Sequence, residues 1–151
     1  MLYFEDFEVG ATERAGDYLL DREELIAFAR QWDPQRIHTD AEFARELGLK
    51  DVSASSCHTF CINAKLMNQL QPYALVGAME MDMKMPTPAY GGDRLFFTRT
   101  CLDKRVSRSK PGRGIVTFEF RLYNQNDETV LLERPVLMLQ RRAAGNERAG
   151  A

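Results

Sequence analysis

Ser53-Ala54-Ser55-Ser56-Cys57-His58-Thr59-Phe60-Cys61-Ile62-Asn63-Ala64-Lys65-Leu66-Met67-Asn68-Gln69-Leu70 is the stretch on which the fold turns. Small, hydroxyl-bearing residues lead into apolar positions at Cys57, Phe60, Cys61, Ala64, Met67 and Leu70. Their spacings of three and four predict a largely buried helix over about 56–69. Ser55 and Ser56 read as caps of its start rather than as nucleophiles. No Gly-x-Ser-x-Gly elbow occurs in the chain. A first turn made of small residues leaves its backbone N–H donors open to another group.

C-terminal to this helix the periodicity changes to that of strands. Ala78–Lys84 alternates, with Met79, Met81, Met83 and Met85 on one side. Pro86-Thr87-Pro88 and Gly91-Gly92-Asp93 mark turns. Arg94–Asp103 reads as a strand, and Lys104–Gly114 as a basic connection containing glycine and proline. Ile115–Tyr123 sets Val116, Phe118, Phe120 and Leu122 against Ile115, Thr117, Glu119 and Arg121. Asn124-Gln125-Asn126-Asp127 is a hairpin turn. Thr129–Gln140 is a last strand, interrupted at Pro135, and the residues from Arg141 on read as frayed.

N-terminal to the helix, 11–20 is a plausible strand. Asp21 caps a second helix, with Glu24 completing a capping-box pattern. Leu25, Ile26, Phe28 and Ala29 form its apolar side, and Asp33-Pro34 ends it. Thr39 and Glu42 repeat the capping signal for a short helix of about 40–46, closed by Gly48. The order predicts an α+β chain: one curved antiparallel sheet whose apolar face is buried by the long helix. A second subunit completes the outer face or edge of such a sheet.

The chain has 151 residues, 44% hydrophobic and 28% charged, which predicts one globular domain over 1–141 and a disordered tail over 142–151. A formal charge of −2 argues against a general nucleic-acid binder. No apolar run approaches the roughly 20 residues that span a bilayer. Met1–Asp6 lacks the basic and apolar blocks of a signal peptide, so a cytoplasmic, non-membrane protein is expected. Cys57, Cys61 and Cys101 read as reduced, buried thiols. Cys57, His58 and Cys61 supply too few ligands for a metal site.

His38 is one of only two histidines, the other being His58. It follows Asp33 by five positions in Trp32-Asp33-Pro34-Gln35-Arg36-Ile37-His38-Thr39-Asp40. An acid and an imidazole on one short loop anchored by two helices can hold a water between them and move its protons. The alternatives are an Asx turn at Asp33 before Pro34 and a surface position for His38.

Four stretches together resemble the MaoC-like dehydratase family, the group that contains the (R)-specific enoyl-CoA hydratases. They are Phe28–Asp40, Ala54–Thr59, Pro88–Leu95, and Ser107–Val116 followed by Asn124-Gln125. The resemblance implies the hotdog fold, a curved antiparallel sheet wrapped around a central helix. It implies a hydro-lyase that adds or removes water at the 2,3 position of an acyl thioester. Asp33 and His38 match the pair that handles the water. The amide of Ser56, with that of Cys57 as a second donor, matches the one that receives the thioester carbonyl; many members have glycine at the position of Ser56. Gln35, Arg36, Ser55 and His58 then fall near the substrate, and the four methionines line either the core or the acyl pocket. Lys104, Arg105, Arg108, Lys110 and Arg113 form a solvated connection or a contact to coenzyme A phosphates, with Arg108, Lys110 and Arg113 taken as binding residues. No metal and no cofactor is implied beyond coenzyme A as part of the substrate. The expected assembly is a homodimer or a dimer of dimers. A hotdog thioesterase is the competing enzyme, but the helix after Cys57 carries no acidic residue through Leu70. A non-catalytic acyl-thioester-binding subunit is the other alternative. Acyl chain and carrier, coenzyme A or acyl carrier protein, are left open.

Overall fold

The computed structural model describes residues 1–142, so the expected tail lies outside the described residues except for Arg142. After a short 3-10 turn at Phe4–Asp6, the elements are β1 (Thr12–Leu19), α1 (Arg22–Trp32), α2 (Arg36–Thr39), α3 (Ala41–Glu46), α4 (Ser56–Met67), β2 (Leu75–Lys84), β3 (Arg94–Val106), β4 (Arg113–Tyr123) and β5 (Thr129–Gln140). The strands form one antiparallel sheet in the order β1-β3-β4-β5-β2. Alternation sends Leu95, Phe97, Phe118, Phe120, Leu122 and Leu131 inward, where they are buried. The sheet curls around α4, and the chain has the hotdog fold.

The helix lies where its periodicity puts it, but with a different face inward. His58, Thr59, Ile62, Asn63 and Leu66 are buried, whereas Cys57, Phe60 and Cys61 are exposed. The expectation of buried thiols therefore holds for Cys101 and fails for Cys57 and Cys61. Of the two places expected for the methionines, the core is excluded: Met79, Met81, Met83 and Met85 are 39–49% exposed, and Met85 borders a pocket. The cause is topological, since β2 is an edge strand paired only to β5, and α4 covers the middle of the sheet.

β3 runs on to Val106, so Lys104 and Arg105 belong to a strand and the basic connection shrinks to 107–112. Pro135 does not interrupt β5; it pairs with Met81 on the edge strand, beside a bulge in β2 between Ala78 and Glu80. Arg141 and Arg142, expected to fray, are tied back to the N-terminal turn by ion pairs to Glu5 (3.2 Å) and Asp6 (2.6 Å).

The start of β4 presses on Phe4. A methyl group added at Gly114 would stand 2.0 Å from Phe4 Cδ2, on a ring that is only 7% exposed. Gly114→Ala is therefore expected to lower stability by about 2 kcal/mol, the usual cost of overpacking. Denaturant unfolding checks this, and an unchanged midpoint would show that the ring moves aside freely.

Candidate active site

Three segments are locked together around the candidate site. Arg22, at the start of α1, donates two hydrogen bonds to Asp51 at 2.7 and 3.0 Å, which lowers the Asp51 pKa to about 2. Gly91 lies so close to Arg22 that a Cβ there would stand 2.6 Å from the arginine Cβ. Ala54 N–H donates to the Ala89 carbonyl at 2.8 Å. The strip 51–55 thus runs from the start of α1 past the 88–91 turn, and it leads into the start of α4.

Asp33 follows α1 as its C-cap, with φ −152° and ψ 70°, a backbone outside the helical region as Pro34 requires. The segment expected as a loop then makes one helical turn, α2, which carries His38. This turn changes the next cap. Asp40, not Thr39, opens α3 by accepting from the Glu42 and Phe43 N–H groups, each at 3.1 Å. Thr39 belongs to α2, and its hydroxyl donates to the Gln35 carbonyl.

The fold brings Asp33 and His38 together at the mouth of a pocket of about 250 Å3 that also touches Gln35, Ser56, Thr59 and Met85. The pocket's other wall is formed by Thr87, Pro88, Ala89 and Val130. His38 Nδ1 is 2.8 Å from the Ser53 carbonyl oxygen, which can only accept, so Nδ1 carries the proton. In the neutral ring Nε2 is then an acceptor, and it lies 3.5 Å from Asp33 Oδ2. Two acceptors facing each other at that distance suit a water that donates one hydrogen to each. Asp33 is held ionised by the Ser55 hydroxyl on Oδ2 (2.7 Å) and the Gln35 amide on Oδ1 (2.8 Å), which lower its pKa in that order. Both side chains remain partly open, at 18% for Asp33 and 12% for His38.

Ser55 caps α4, its hydroxyl accepting from the Cys57 N–H at 3.2 Å. This consumes the amide of Cys57, so the expectation of a second free donor there is corrected. The Ser56 N–H has no acceptor among the described residues, and Ser56 borders the pocket. Ser55 itself is fully buried beneath Asp33, so it holds the carboxylate and does not face a ligand. His58 is also displaced from the expected role: it faces α1, stacked on Phe28 at 4.4 Å with Nε2 3.2 Å from Glu24. Arg36 turns away, paired with Asp40 at 2.8 Å and lying over the Phe43 ring. Arg108, Lys110 and Arg113 sit at the far end of the sheet: Arg113 pairs with Gln140, while the pocket touches β5 at Val130. Ten strand residues separate those ends, roughly 33 Å, so these cations cannot reach the pocket of their own chain.

Sequence reasoning missed Ser53, whose carbonyl sets the His38 tautomer, and the Thr59 and Val130 walls. Nothing local marks them. Ser55→Ala tests the support of Asp33. Losing its largest pKa-lowering partner raises the Asp33 pKa toward the ordinary carboxylate value. The acid limb of any Asp33-dependent activity is therefore expected to move to higher pH. The sign for stability is the same: a depressed carboxylate stabilises the fold above its unfolded pKa and loses this as pH falls through the folded one. Loss of the α4 cap adds a cost of about 1 kcal/mol at neutral pH. A pH–rate profile that does not move would separate Ser55 from Asp33 function.

A family model described as MaoC like domain matches residues 8–120. A crystal structure of the MaoC-like dehydratase from Rhodospirillum rubrum is similar at 30% identity and a TM-score of 0.87, over 95% of this chain and 99% of that one. The uncharacterized protein YdeM of Bacillus subtilis is 29% identical over 129 residues, covering 83% of this chain and 90% of the relative. A Mycobacterium tuberculosis protein with a double hotdog fold matches at a TM-score of 0.76 and 19% identity, over 99% of this chain and 46% of that one.

Proposed function

The chain belongs to the MaoC-like domain family, and on that premise we propose that it is a hydro-lyase adding or removing water at the 2,3 position of an acyl thioester. The observation that carries this is the acceptor pair Asp33 Oδ2 and His38 Nε2, 3.5 Å apart, beside the uncommitted Ser56 amide. In the hydration direction the pair holds a water whose oxygen attacks C3 of the enoyl group. Asp33, kept ionised by Ser55 and Gln35, is a poor proton acceptor, so the water's proton passes to His38 Nε2. Charge then gathers on the thioester oxygen, where the Ser56 N–H donates to it. The proton held by His38 is the one that C2 of the enolate needs, and its delivery completes the addition. Dehydration runs the same steps backwards.

Single domain character and a homodimer or dimer of dimers belong to the same reading. The exposed β2 edge with Val76, Met79, Met81 and Met83, and the outward face of α4 at Phe60, supply the apolar surface a second copy would cover. Arg108, Lys110 and Arg113 enter only through such a copy, as partners for the phosphates of a coenzyme A carrier. Purified protein incubated with short and medium trans-2-enoyl-CoA thioesters tests the reaction. Loss of the conjugated enoyl absorbance without free thiol is expected. Release of thiol would make the protein a thioesterase, and neither signal across the series would remove the enzymatic reading.

A further inference from the structure

The hydration chemistry above makes no use of His58, the second histidine of the chain. It is 3% exposed and stands in the first turn of α4, two residues after Ser56. Its ring stacks on Phe28 with 8° between the planes, and its Nε2 faces Glu24 Oε1 at 3.2 Å. A carboxylate oxygen accepts, so Nε2 is the donor nitrogen. Nδ1 is buried without a partner. Phe28 and Glu24 both belong to α1, so the aromatic and polar contacts of the ring lead to that helix. Glu24 Oε1 accepts from the Tyr18 hydroxyl as well, which ties the same point to β1.

The ends of α1 and α4 carry the groups of the candidate site. Asp33 caps the end of α1, its N–H donating to the Ala29 carbonyl at 2.8 Å, and Ser56 begins α4. The two act on different parts of one substrate, the water at C3 and the thioester oxygen, so their separation has to be fixed. The Ser55–Asp33 hydrogen bond joins the two helices at the site itself. A single contact leaves two rods free to pivot about it. His58 supplies a second point, because Phe28 and Glu24 lie five and nine residues before Asp33, roughly 8 and 14 Å back along α1. Those two residues are four apart, on one face of α1, so a single ring engages both. A misplacement of about 1 Å between reacting groups is enough to cost on the order of 100-fold in rate.

Resting on the hydro-lyase reading, we propose that His58 is a positioning residue: through Phe28 and Glu24 it fixes the angle between α1 and α4, and with it the separation of the Asp33 carboxylate from the Ser56 amide. The test measures kcat, KM and the pH–rate profile of the full chain on trans-2-enoyl-CoA thioesters. His58→Leu is expected to lower kcat about 100-fold with KM within about twofold of wild type, since geometry is lost and binding surface is kept. The groups that face Asp33 are Ser55, Gln35 and His38, and Ser55 does most to lower its pKa. A looser α4 weakens the Ser55 bond, so the acid limb is expected to move to higher pH. A role in stability alone would leave both kcat and that limb where they are in the folded protein. His58→Gln, whose amide can donate from the place of Nε2, is expected to recover at least tenfold of the lost kcat. Glu24→Ala, at a half-exposed side chain whose loss leaves the core intact, is expected to lower kcat about tenfold in the same manner, and it decides the matter if His58→Leu does not fold. Wild-type kcat and an unmoved acid limb in the folded variants overturn the proposal, as does a glutamine variant no better than the leucine one. Wild type that turns over no enoyl thioester brings down the hydro-lyase reading and this proposal with it, whereas an active wild type with indifferent variants removes this proposal alone.

Discussion

Asp33→Asn and His38→Ala are each expected to lower the turnover number for hydration by about a thousandfold, within the range that positioned acid–base groups supply. The two losses have different structural origins. Asp33 presents two acceptor oxygens to two donors, Ser55 and Gln35. An asparagine there offers one acceptor and one donor, so one of those contacts becomes donor against donor. The amide also cannot accept the water's second hydrogen in the same arrangement. Local strain of this kind costs about 1 kcal/mol of stability, far less than unfolding requires. His38→Ala removes the acceptor Nε2 and leaves the Ser53 carbonyl to solvent. It opens no hole in the core, since neither Asp33 nor His38 belongs to the buried apolar cluster. Turnover and thermal unfolding measured on the same preparations check both claims. Near-normal activity in either folded variant would take that residue out of the mechanism.

Ser56→Pro is expected to reduce the turnover number about 10²- to 10³-fold with little change in fold, because it deletes one backbone donor at the site of developing charge. The position tolerates proline unusually well. Ser56 is the first residue of α4, where proline's fixed φ is already helical and its missing N–H costs no helical bond. Ser55, which would precede the proline, has φ −56° and ψ 144°, the extended conformation a pre-proline residue prefers. The Ser56 N–H has no other acceptor among the described residues to lose. Ser56→Ala is the control: it keeps the donor and removes only the hydroxyl, so its turnover number is expected to stay near that of wild type. Matching losses in the two variants would assign the effect to the side chain and place the oxyanion donor elsewhere.

These two predictions draw on different kinds of information. The Asp33–His38 spacing and the capping serines were legible in the chain, because a cap or a turn is decided by residues a few positions apart. Ser55 is the cap of α4 as read, and Asp21 accepts from the Glu24 N–H as its capping pattern implies. The other half of that capping box is absent, however. The Glu24 carboxylate accepts instead from Tyr18, and lies 3.2 Å from a His58 ring nitrogen 34 residues along the chain. Asp40 displaced Thr39 as a cap for a similar reason, since a helical turn around His38 had already claimed the threonine.

By itself the sequence determined the order of helices and strands, the alternation of β4, the long helix and the loop that carries an acid and an imidazole. All of these follow from side-chain periodicity and short-range backbone chemistry. Tertiary structure alone decided that Ser55, 22 residues from Asp33, holds its carboxylate, and that Ser53, 15 residues from His38, sets its tautomer. It alone turned the Asn63 face of α4 inward and the Cys57–Phe60 face outward. Spacing defines two usable faces on that helix, and only the closing of the sheet around one of them chooses between the two.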